Sequence, residues 1–168
     1  MAKLYIITGP AGVGKSTISR KIAESSNKST LIEGDEIYHQ VVGGYAPAWK
    51  EGNHLEIFWK ICIDTIKTYL ENGYDVVFNY IITPENLEKL RTAFSAFTVK
   101  FTVLLVDEKT LLLRDSLRDE DCQMKERCIV LLNRFRDRNY NETNILDTSN
   151  LSVDESVNII LNDNRFIL

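Results

Sequence analysis

The chain has 168 residues, of which 44% are hydrophobic and 26% charged, and a formal net charge of -4; this is the composition of a soluble globular protein of one domain, and it gives no reason to expect a nucleic acid or an anionic membrane as a partner. The cysteines Cys62, Cys122 and Cys128 form no C-x-x-C pair and the two histidines are scattered, so we expect free thiols and neither a disulfide framework nor a zinc site. No signal-like start and no apolar run of roughly 20 residues is visible, which predicts a cytoplasmic protein.

The first predicted element is a strand over residues 4–7, which leads into the sequence Gly-Pro-Ala-Gly-Val-Gly-Lys-Ser-Thr at positions 9–17. This sequence matches the phosphate-binding pattern G-x-x-x-x-G-K-[ST]. Its glycines permit positive φ, so successive backbone N–H groups can point into one concavity. Apolar residues then recur at helical spacing over 16–25, and that helix would direct its positive N-terminal end at the same anion.

This loop predicts a site for ATP and Mg²⁺. Lys15 would contact the β- and γ-phosphate oxygens, and the Ser16 hydroxyl would bind the Mg²⁺ that bridges them. The loop residues assigned to the nucleotide are Gly9, Ala11, Gly12, Val13, Gly14, Lys15, Ser16 and Thr17.

Strand-like and helix-like segments alternate along the rest of the chain. Strands are predicted over 29–33, 75–80, 97–106 and 144–147, and helices over 35–42, 54–72, 84–94, 109–117, 123–136 and 153–161. Asn53, Thr83 and Ser152 are the predicted caps of three of these helices, with Pro84 at a first helical position. The alternation predicts an α/β fold in which helices cover both faces of a parallel sheet, within one domain over residues 1–168.

A carboxylate, Asp35, follows the second predicted strand. Ligands of open α/β sheets bind outside the carboxyl ends of the strands, so Asp35 would lie near the phosphates. There it would orient an acceptor hydroxyl for in-line attack and take its proton. The same position also suits a helix N-cap. Glu33 and Glu36 are weaker candidates: Glu33 faces the same way as Asp35 only if the strand continues, and Glu36 suits the first turn of a helix.

Three arginines, Arg114, Arg118 and Arg127, are candidates for contacts with phosphate. An arginine that reaches the transition state of phosphoryl transfer contributes on the order of 10³ to 10⁵ in rate. Arg114 and Arg118 are four residues apart and share a helix face, so we assign both to catalysis and Arg118 also to the nucleotide. The acidic residues at 115 and 119–121 favour a solvated surface instead, and both interpretations stay open.

Aromatic and polar residues follow the second and third strands and predict an acceptor pocket. Each of them, taken alone, also fits ordinary packing. The set comprises His39, Tyr45, Trp49, His54 and Tyr80, of which His39, Trp49 and Tyr80 are assigned to the acceptor together with Asp35.

Taken in order, these motifs resemble the small P-loop kinases of the nucleoside-monophosphate-kinase-like group, above all the shikimate, gluconate and chloramphenicol phosphotransferase types. The resemblance rests on the glycine loop, Glu33-Gly34-Asp35, the arginine pair and the stretch 146–149. It implies a three-layer α/β/α sandwich with five parallel strands in the order 2-3-1-4-5, a small lid over about 114–124, and adenine near the loop after Asp147. In such kinases the residue that matches Asp35 acts on the acceptor hydroxyl.

The chain departs from that group at two places. Asn79 stands where many relatives carry an aspartate after the third strand, which puts a magnesium contact in doubt. The sequences Tyr38-His39 and Asn79-Tyr80-Ile81 replace the arginine-containing runs of nucleotide kinases. A nucleoside monophosphate is therefore a less favoured acceptor.

These observations predict an ATP-dependent kinase that phosphorylates a hydroxyl of a small metabolite or antibiotic. Its partners would be ATP and that acceptor, with neither nucleic acid nor membrane, and it would be a monomer or a homodimer. The alternatives are a nucleotide or nucleoside kinase, and a nucleotide-binding switch that hydrolyses ATP slowly. The sequence does not identify the acceptor.

Overall fold

The computed structural model describes residues 2–168, apart from the side chain of Cys122; the thiol predicted for Cys122 therefore lies outside the described part. The described chain forms one five-stranded parallel sheet in the order β2-β3-β1-β4-β5. This confirms the predicted strand order. The strands are β1 Lys3–Thr8, β2 Ser29–Glu33, β3 Asp75–Asn79, β4 Thr98–Leu105 and β5 Ile145–Asp147.

Seven α-helices in the described residues connect and cover these strands. Three short 3₁₀ helices lie over Glu120–Cys122, Glu142–Asn144 and Asn164–Phe166. Within residues 2–168, no helix has both the length and the apolar content that a membrane span requires. The helices are α1 Lys15–Glu24, α2 Gly34–Tyr38, α3 Leu55–Glu71, α4 Pro84–Ala93, α5 Glu108–Ser116, α6 Glu126–Arg136 and α7 Val153–Asn162.

The sheet is buried on both faces, as the continuous apolar runs of its strands predict. In β1, Leu4 and Ile6 join the core beneath α3 and α4, while Tyr5 and Ile7 join the core beneath α1 and α7. Cys62 and Cys128 are buried free thiols in these two cores, as predicted. The helices therefore flank the sheet and leave the carboxyl ends of its strands open for a site.

Two predicted caps are confirmed by their hydrogen bonds. The Thr83 hydroxyl accepts from the N–H of Asn86 at 3.2 Å, with Pro84 in the first turn of α4. Ser152 and Glu155 form a reciprocal capping box at the start of α7. At the other end of α7, the buried Lys100 ammonium donates to the carbonyls of Ile160, Leu161 and Asp163 at 2.7–3.1 Å.

Two helix boundaries near the site differ from the sequence predictions. α2 ends at Tyr38, well before the predicted end at Val42, because Val42 is 92% exposed and nothing packs there to stabilise a β-branched residue in a helix. α3 begins at Leu55 with His54 in the N-cap position, so the predicted cap at Asn53 is displaced by one residue. Asn53 still accepts a hydrogen bond from the Leu55 N–H at 3.1 Å.

A third difference lies at the start of α6, which begins at Glu126 and not near residue 123. The N–H groups of Met124 and Lys125 donate to the Asp115 carboxylate at 2.7–3.1 Å, and Lys125 has a φ of 49°. This carboxylate holds the chain in a turn ahead of the helix. Asp115 is only 2% exposed, so the interpretation of position 115 as solvated surface is wrong.

Candidate nucleotide and acceptor site

A cavity of about 550 Å³ opens where β1, β2 and β3 end. It joins the glycine loop to residues from α2, the third strand, α5 and the loop after β5. Its lining consists of Ala11, Gly12, Val13, Gly14, Lys15, Ser16, Thr17, Ile18, Asp35, Asn79, Arg114, Arg118, Thr148, Leu151, Val153 and Ser156. We call it the phosphate cavity. Every loop residue assigned from the sequence except Gly9 contributes to its wall.

The glycine loop presents an uncapped helix end to the phosphate cavity. Gly14 occupies the N-cap position of α1 with φ 102°, a left-handed conformation that favours glycine, and no side chain caps the helix there. The first N–H groups of α1 are therefore available to an anion. Gly9 lies behind the loop, where a Cβ atom would meet the Leu104 carbonyl oxygen at 2.5 Å. Gly9 thus serves the close approach of the loop to β4.

Lys15 lies across the loop, and its ammonium donates to the Pro10 carbonyl at 3.1 Å. Burial lowers the pKa of Lys15 to about 8, against the charges of Asp35 and Glu33, which raise it. A cation held in this desolvated position without a full counter-charge is stabilised by any phosphate oxygen that reaches it. The site is therefore prepared for an anion at the end of Lys15.

Ser16, Glu33 and Asn79 form a hydrogen-bonded triangle on the floor of the cavity. Glu33 and Asn79 are register partners at the ends of β2 and β3, and the Asn79 amide donates to both the Glu33 carboxylate and the Ser16 hydroxyl. The Ser16 hydroxyl also lies 3.4 Å from Glu33 Oε2. The side-chain oxygen of Asn79, Oδ1, is buried and has no hydrogen-bond partner among the described atoms.

These groups fit a magnesium ion that is shared with phosphates. Mg²⁺ prefers hard oxygen donors and is bound by one or two protein groups plus phosphates and water. The Ser16 hydroxyl, the Glu33 carboxylate and the partnerless oxygen of Asn79 are such donors. Within the described residues no three His, Cys, Asp or Glu side chains cluster as a self-sufficient metal site.

Asp35 lies in the first turn of α2 and its side chain is exposed in the cavity wall. The N-cap of α2 is Glu33, so the alternative interpretation of Asp35 as a helix cap is wrong. The Asp35 carboxylate makes no hydrogen bond to any described group, while its charge acts on Lys15 across the cavity. It is therefore free to accept a proton or a hydrogen bond from a ligand.

Arg114 lines the cavity but its guanidinium is bound to the protein. Nη1 donates to the Val13 carbonyl at 2.9 Å and to the Thr148 hydroxyl at 3.1 Å, and Nη2 donates to the Thr148 carbonyl at 2.9 Å. Burial lowers its pKa. In this arrangement Arg114 fixes the glycine loop to the loop after β5.

Arg118 also lines the cavity, with its side chain 38% exposed. Nη1 lies 3.3 Å from Asp115 Oδ1, which leaves the rest of the guanidinium accessible. Arg127 is exposed on α6 and does not contribute to the cavity wall. Of the three candidate arginines, Arg118 is thus placed to bind a phosphate without first losing several hydrogen bonds to the protein.

The three aromatic residues assigned to the acceptor lie outside the phosphate cavity. Tyr80 is buried against Phe58 and Trp59, directly beneath Gly34. His39 is exposed and its Nδ1 atom lies 2.7 Å from the Asp35 carbonyl. Trp49 is 76% exposed. Their roles toward an acceptor stay predictions.

The sequence interpretation missed two residues of this site. Asp115 belongs to a charge-rich stretch, and only its spacing of three from Arg118 signals a buried partner. Thr148 follows the last strand and accepts hydrogen bonds from Arg114. The sequence carries no local signal for this contact. Thr148, Leu151, Val153 and Ser156 form the wall where the resemblance places adenine.

Solved structures with the same fold include a sugar kinase from Janibacter sp. HTCC2649 (14% identity, 96% of this chain and 93% of that chain covered, TM-score 0.71). They also include a tunicamycin resistance protein from Deinococcus radiodurans (17% identity, 95% of this chain and 94% of that chain covered, TM-score 0.70). A gluconokinase from Sinorhizobium meliloti 1021 is similar as well (19% identity, 95% of this chain and 89% of that chain covered, TM-score 0.63). The predicted resemblance to small P-loop kinases is confirmed at the level of fold.

No curated protein matches the chain significantly in sequence. The family model described as AAA domain matches residues 4–129, which include the glycine loop, Asp35, Asn79 and both cavity arginines. The chain therefore belongs to the AAA domain family, and it has the P-loop kinase fold.

Proposed function

We propose that the protein is an ATP-dependent kinase that transfers the γ-phosphoryl group to a hydroxyl of a small molecule. The observation that carries this proposal is the presence of Asp35, Lys15 and Arg118 around one cavity at the mouth of the glycine loop. A base, a phosphate-binding cation and a second, accessible cation are the groups that an in-line phosphoryl transfer requires.

In the proposed reaction the glycine loop and the N-terminus of α1 bind the triphosphate, and Lys15 neutralises its β- and γ-oxygens. Asp35 accepts the proton of the acceptor hydroxyl while that oxygen attacks the γ-phosphorus, and the bond from phosphorus to the β,γ-bridging oxygen breaks to release ADP. Arg118 stabilises charge on the transferred group. Bound Mg²⁺ supplies charge neutralisation of the phosphates, and Ser16 would hold it, oriented by Glu33 and Asn79.

We further propose that residues 114–124 form the lid of a single domain over 1–168. The single 3.3 Å contact of Arg118 with Asp115 supports a mobile arginine within this lid, because Asp115 keeps the N–H donors of Met124 and Lys125 when Arg118 turns to phosphate oxygens. Arg114, at the fixed end of this segment, would stay in place and position the nucleotide through Thr148.

A second candidate function is a nucleotide or nucleoside kinase, and a third is an ATPase switch without an acceptor. The free Asp35 carboxylate favours transfer to a hydroxyl over a nucleotide kinase and over a switch, because a nucleoside monophosphate needs cations on the acceptor side and a switch needs no base for an organic acceptor. A nucleoside, whose acceptor group is a hydroxyl, is tested within the same panel. ADP release with water alone, unchanged by any alcohol, would favour the switch.

The test is ADP release from ATP-Mg²⁺ with a panel of sugars, sugar acids, nucleosides and aryl alcohols. We expect Lys15→Ala to abolish transfer and weaken ATP binding, and Asp35→Asn to retain ATP binding but to lower turnover by about 10² or more. Asp64→Asn, an exposed carboxylate on α3, is the matched control and should be silent. If Asp35→Asn kept full turnover, Asp35 would not be the base that accepts the proton of the acceptor hydroxyl.

A further inference from the structure

The residue before the proposed base is a glycine that has no room for a side chain. Gly34 is buried at the start of α2, directly before Asp35. A Cβ atom on Gly34 would lie 2.6 Å from Cδ2 and 2.8 Å from both Cβ and Cγ of Tyr80, where ordinary van der Waals contact begins at 3.4 Å. The φ angle of Gly34 is not positive, so this position requires glycine because of the close approach alone. The backbone of Gly34 therefore rests directly on the Tyr80 side chain.

Tyr80 is itself fixed to the sheet and to the core. Its N–H donates to the Ile7 carbonyl at 3.3 Å, in β1, the strand that leads into the glycine loop. The residue is 9% exposed, and its ring packs against Phe58 and Trp59 with centroids 4.6 and 5.7 Å apart. A ring enclosed in this way has no free space to turn into, because core side chains are close-packed. Tyr80 therefore gives Gly34 a support whose position is fixed relative to β1.

The other end of α2 rests on the same aromatic cluster. Tyr38 is 3% exposed, and its ring meets Phe58 edge-on with centroids 5.5 Å apart. The Tyr38 hydroxyl also donates to the Ala46 carbonyl at 2.8 Å. Phe58 thus contacts both Tyr38 and Tyr80. α2 is held at both of its ends, and Asp35 lies between them.

The first turn of α2 joins Asp35 to this support. The Asp35 carbonyl accepts a hydrogen bond from the His39 N–H at 3.0 Å, and His39 Nδ1 lies 2.7 Å from the same oxygen. The Asp35 side chain lines the phosphate cavity. Because a helical turn is held together by its own hydrogen bonds, Gly34 and Asp35 move together. A displacement of Gly34 is therefore transmitted to the Asp35 carboxylate.

Resting on the proposed kinase function, we propose that Tyr80 is a positioning residue that acts through Gly34 and sets the distance between the Asp35 carboxylate and the glycine loop. The link starts at β1, which leads into the loop that would bind phosphates, and passes through Tyr80 and Gly34 to Asp35. In-line transfer requires reacting atoms about 3–3.5 Å apart, and a misplacement of about 1 Å can cost about 10²-fold in rate. This role of Tyr80 requires no contact with the acceptor.

Gly34→Ala tests the contact from the side of α2. The new methyl group must move away from the Tyr80 ring by about 0.8 Å, the difference between 2.6 Å and ordinary contact at 3.4 Å. We expect a crystal structure to show the Asp35 Cα atom displaced by about 0.5–1 Å relative to β1, and kcat to fall by about tenfold or more while ATP affinity changes by less than about twofold. Gly43→Ala is the matched control, because a Cβ atom there has no neighbour within 4 Å and the φ of Gly43 is not positive.

Tyr80→Leu and Tyr80→Phe test the contact from the side of the sheet. Tyr80→Leu removes the ring beneath Gly34, so we expect kcat to fall by about tenfold or more with ATP affinity nearly unchanged. Tyr80→Phe keeps the ring, and we expect it to recover at least about half of the kcat that Tyr80→Leu loses. A Tyr80 hydroxyl that bound the acceptor directly would give a different result, because both variants would then raise the KM of the alcohol equally. Gly34→Ala decides the question by itself if Tyr80→Leu fails to fold.

The kinetics use ADP release from ATP-Mg²⁺ with the alcohol of the panel that reacts fastest, and ATP affinity is measured by calorimetry without an alcohol. The proposal is overturned if Asp35 stays in place in Gly34→Ala, or if it moves and kcat does not fall. It is equally overturned if ATP affinity falls as much as kcat, or if Tyr80→Phe and Tyr80→Leu raise the KM of the alcohol equally. The position of Asp35 in the crystal does not depend on transfer. Failure of the kinase function is seen separately, as the lack of Lys15-dependent ADP release with any alcohol.

Discussion

Arg114 and Thr148 join the two halves of the phosphate cavity. Arg114 donates to the carbonyl and the hydroxyl of Thr148, and the same guanidinium donates to the Val13 carbonyl of the glycine loop. A residue on α5 thus fixes the distance between the loop that would bind phosphates and the loop that would contact adenine.

This arrangement separates the roles of the two cavity arginines. Arg114→Met should weaken nucleotide binding by about tenfold or more and lower the melting temperature, because three hydrogen bonds from a charged donor are lost. Arg118→Met should leave nucleotide affinity nearly intact and lower kcat. Nucleotide titration, thermal melts and steady-state kinetics on both variants check this. Equal losses of affinity in both would contradict it.

The pKa of Lys15 predicts how nucleotide binding depends on pH. Above about pH 8 the free protein holds this lysine neutral, while bound phosphates raise its pKa, so binding must take up a proton. We expect affinity to fall above about pH 8, by up to about tenfold per pH unit. The unliganded protein should gain stability from this group between about pH 8 and the ordinary lysine value, as the cost of burying its charge disappears.

Calorimetry in two buffers of different ionisation enthalpy measures the proton uptake at pH 9. Lys15→Arg is the control, because a guanidinium stays charged across this range. A proton uptake of the same size in Lys15→Arg would show that another group titrates.

Asn79→Asp introduces the residue that the resemblance to small P-loop kinases implies at this position, and we still expect it to be harmful. The Asn79 amide donates to Glu33 and Ser16, and an aspartate would place a second carboxylate against Glu33. Without Mg²⁺ the variant should be less stable by about 1 to 3 kcal/mol at neutral pH, because the half-buried Glu33 carboxylate loses its donor and meets a second negative charge. Asn79→Asp with Glu33→Gln should recover most of that loss. Denaturant unfolding of the single and double variants measures this coupling.

The sequence predicted the sheet and the glycine loop well because both depend on local signals: apolar runs of strand length, and a contiguous motif. It placed Asp35 correctly at the end of β2, since the parallel sheet brings strand ends to one edge. It did not predict the bonds of Arg114 to Thr148 or the burial of Asp115. The first depends on a contact between residues 34 positions apart in the chain. The second depends on backbone N–H groups at residues 124–125, and backbone donors leave no signal in the sequence.

Lys100 is a further residue whose setting no local pattern reveals, and it gives a stability prediction. It lies in β4 with its side chain buried, and its ammonium donates to three carbonyls at the end of α7. Burial lowers the pKa of Lys100, but its three hydrogen bonds satisfy carbonyls that the helix leaves free.

Lys100→Met keeps the apolar stem and removes the donor. We expect a loss of about 2 to 3 kcal/mol, seen in denaturant unfolding, because these carbonyls are then left without partners. Lys109→Met, an exposed lysine on α5, is the control and should change stability by less than about 0.5 kcal/mol. If Lys100→Met proves as stable as that control, water must replace the ammonium at the end of α7.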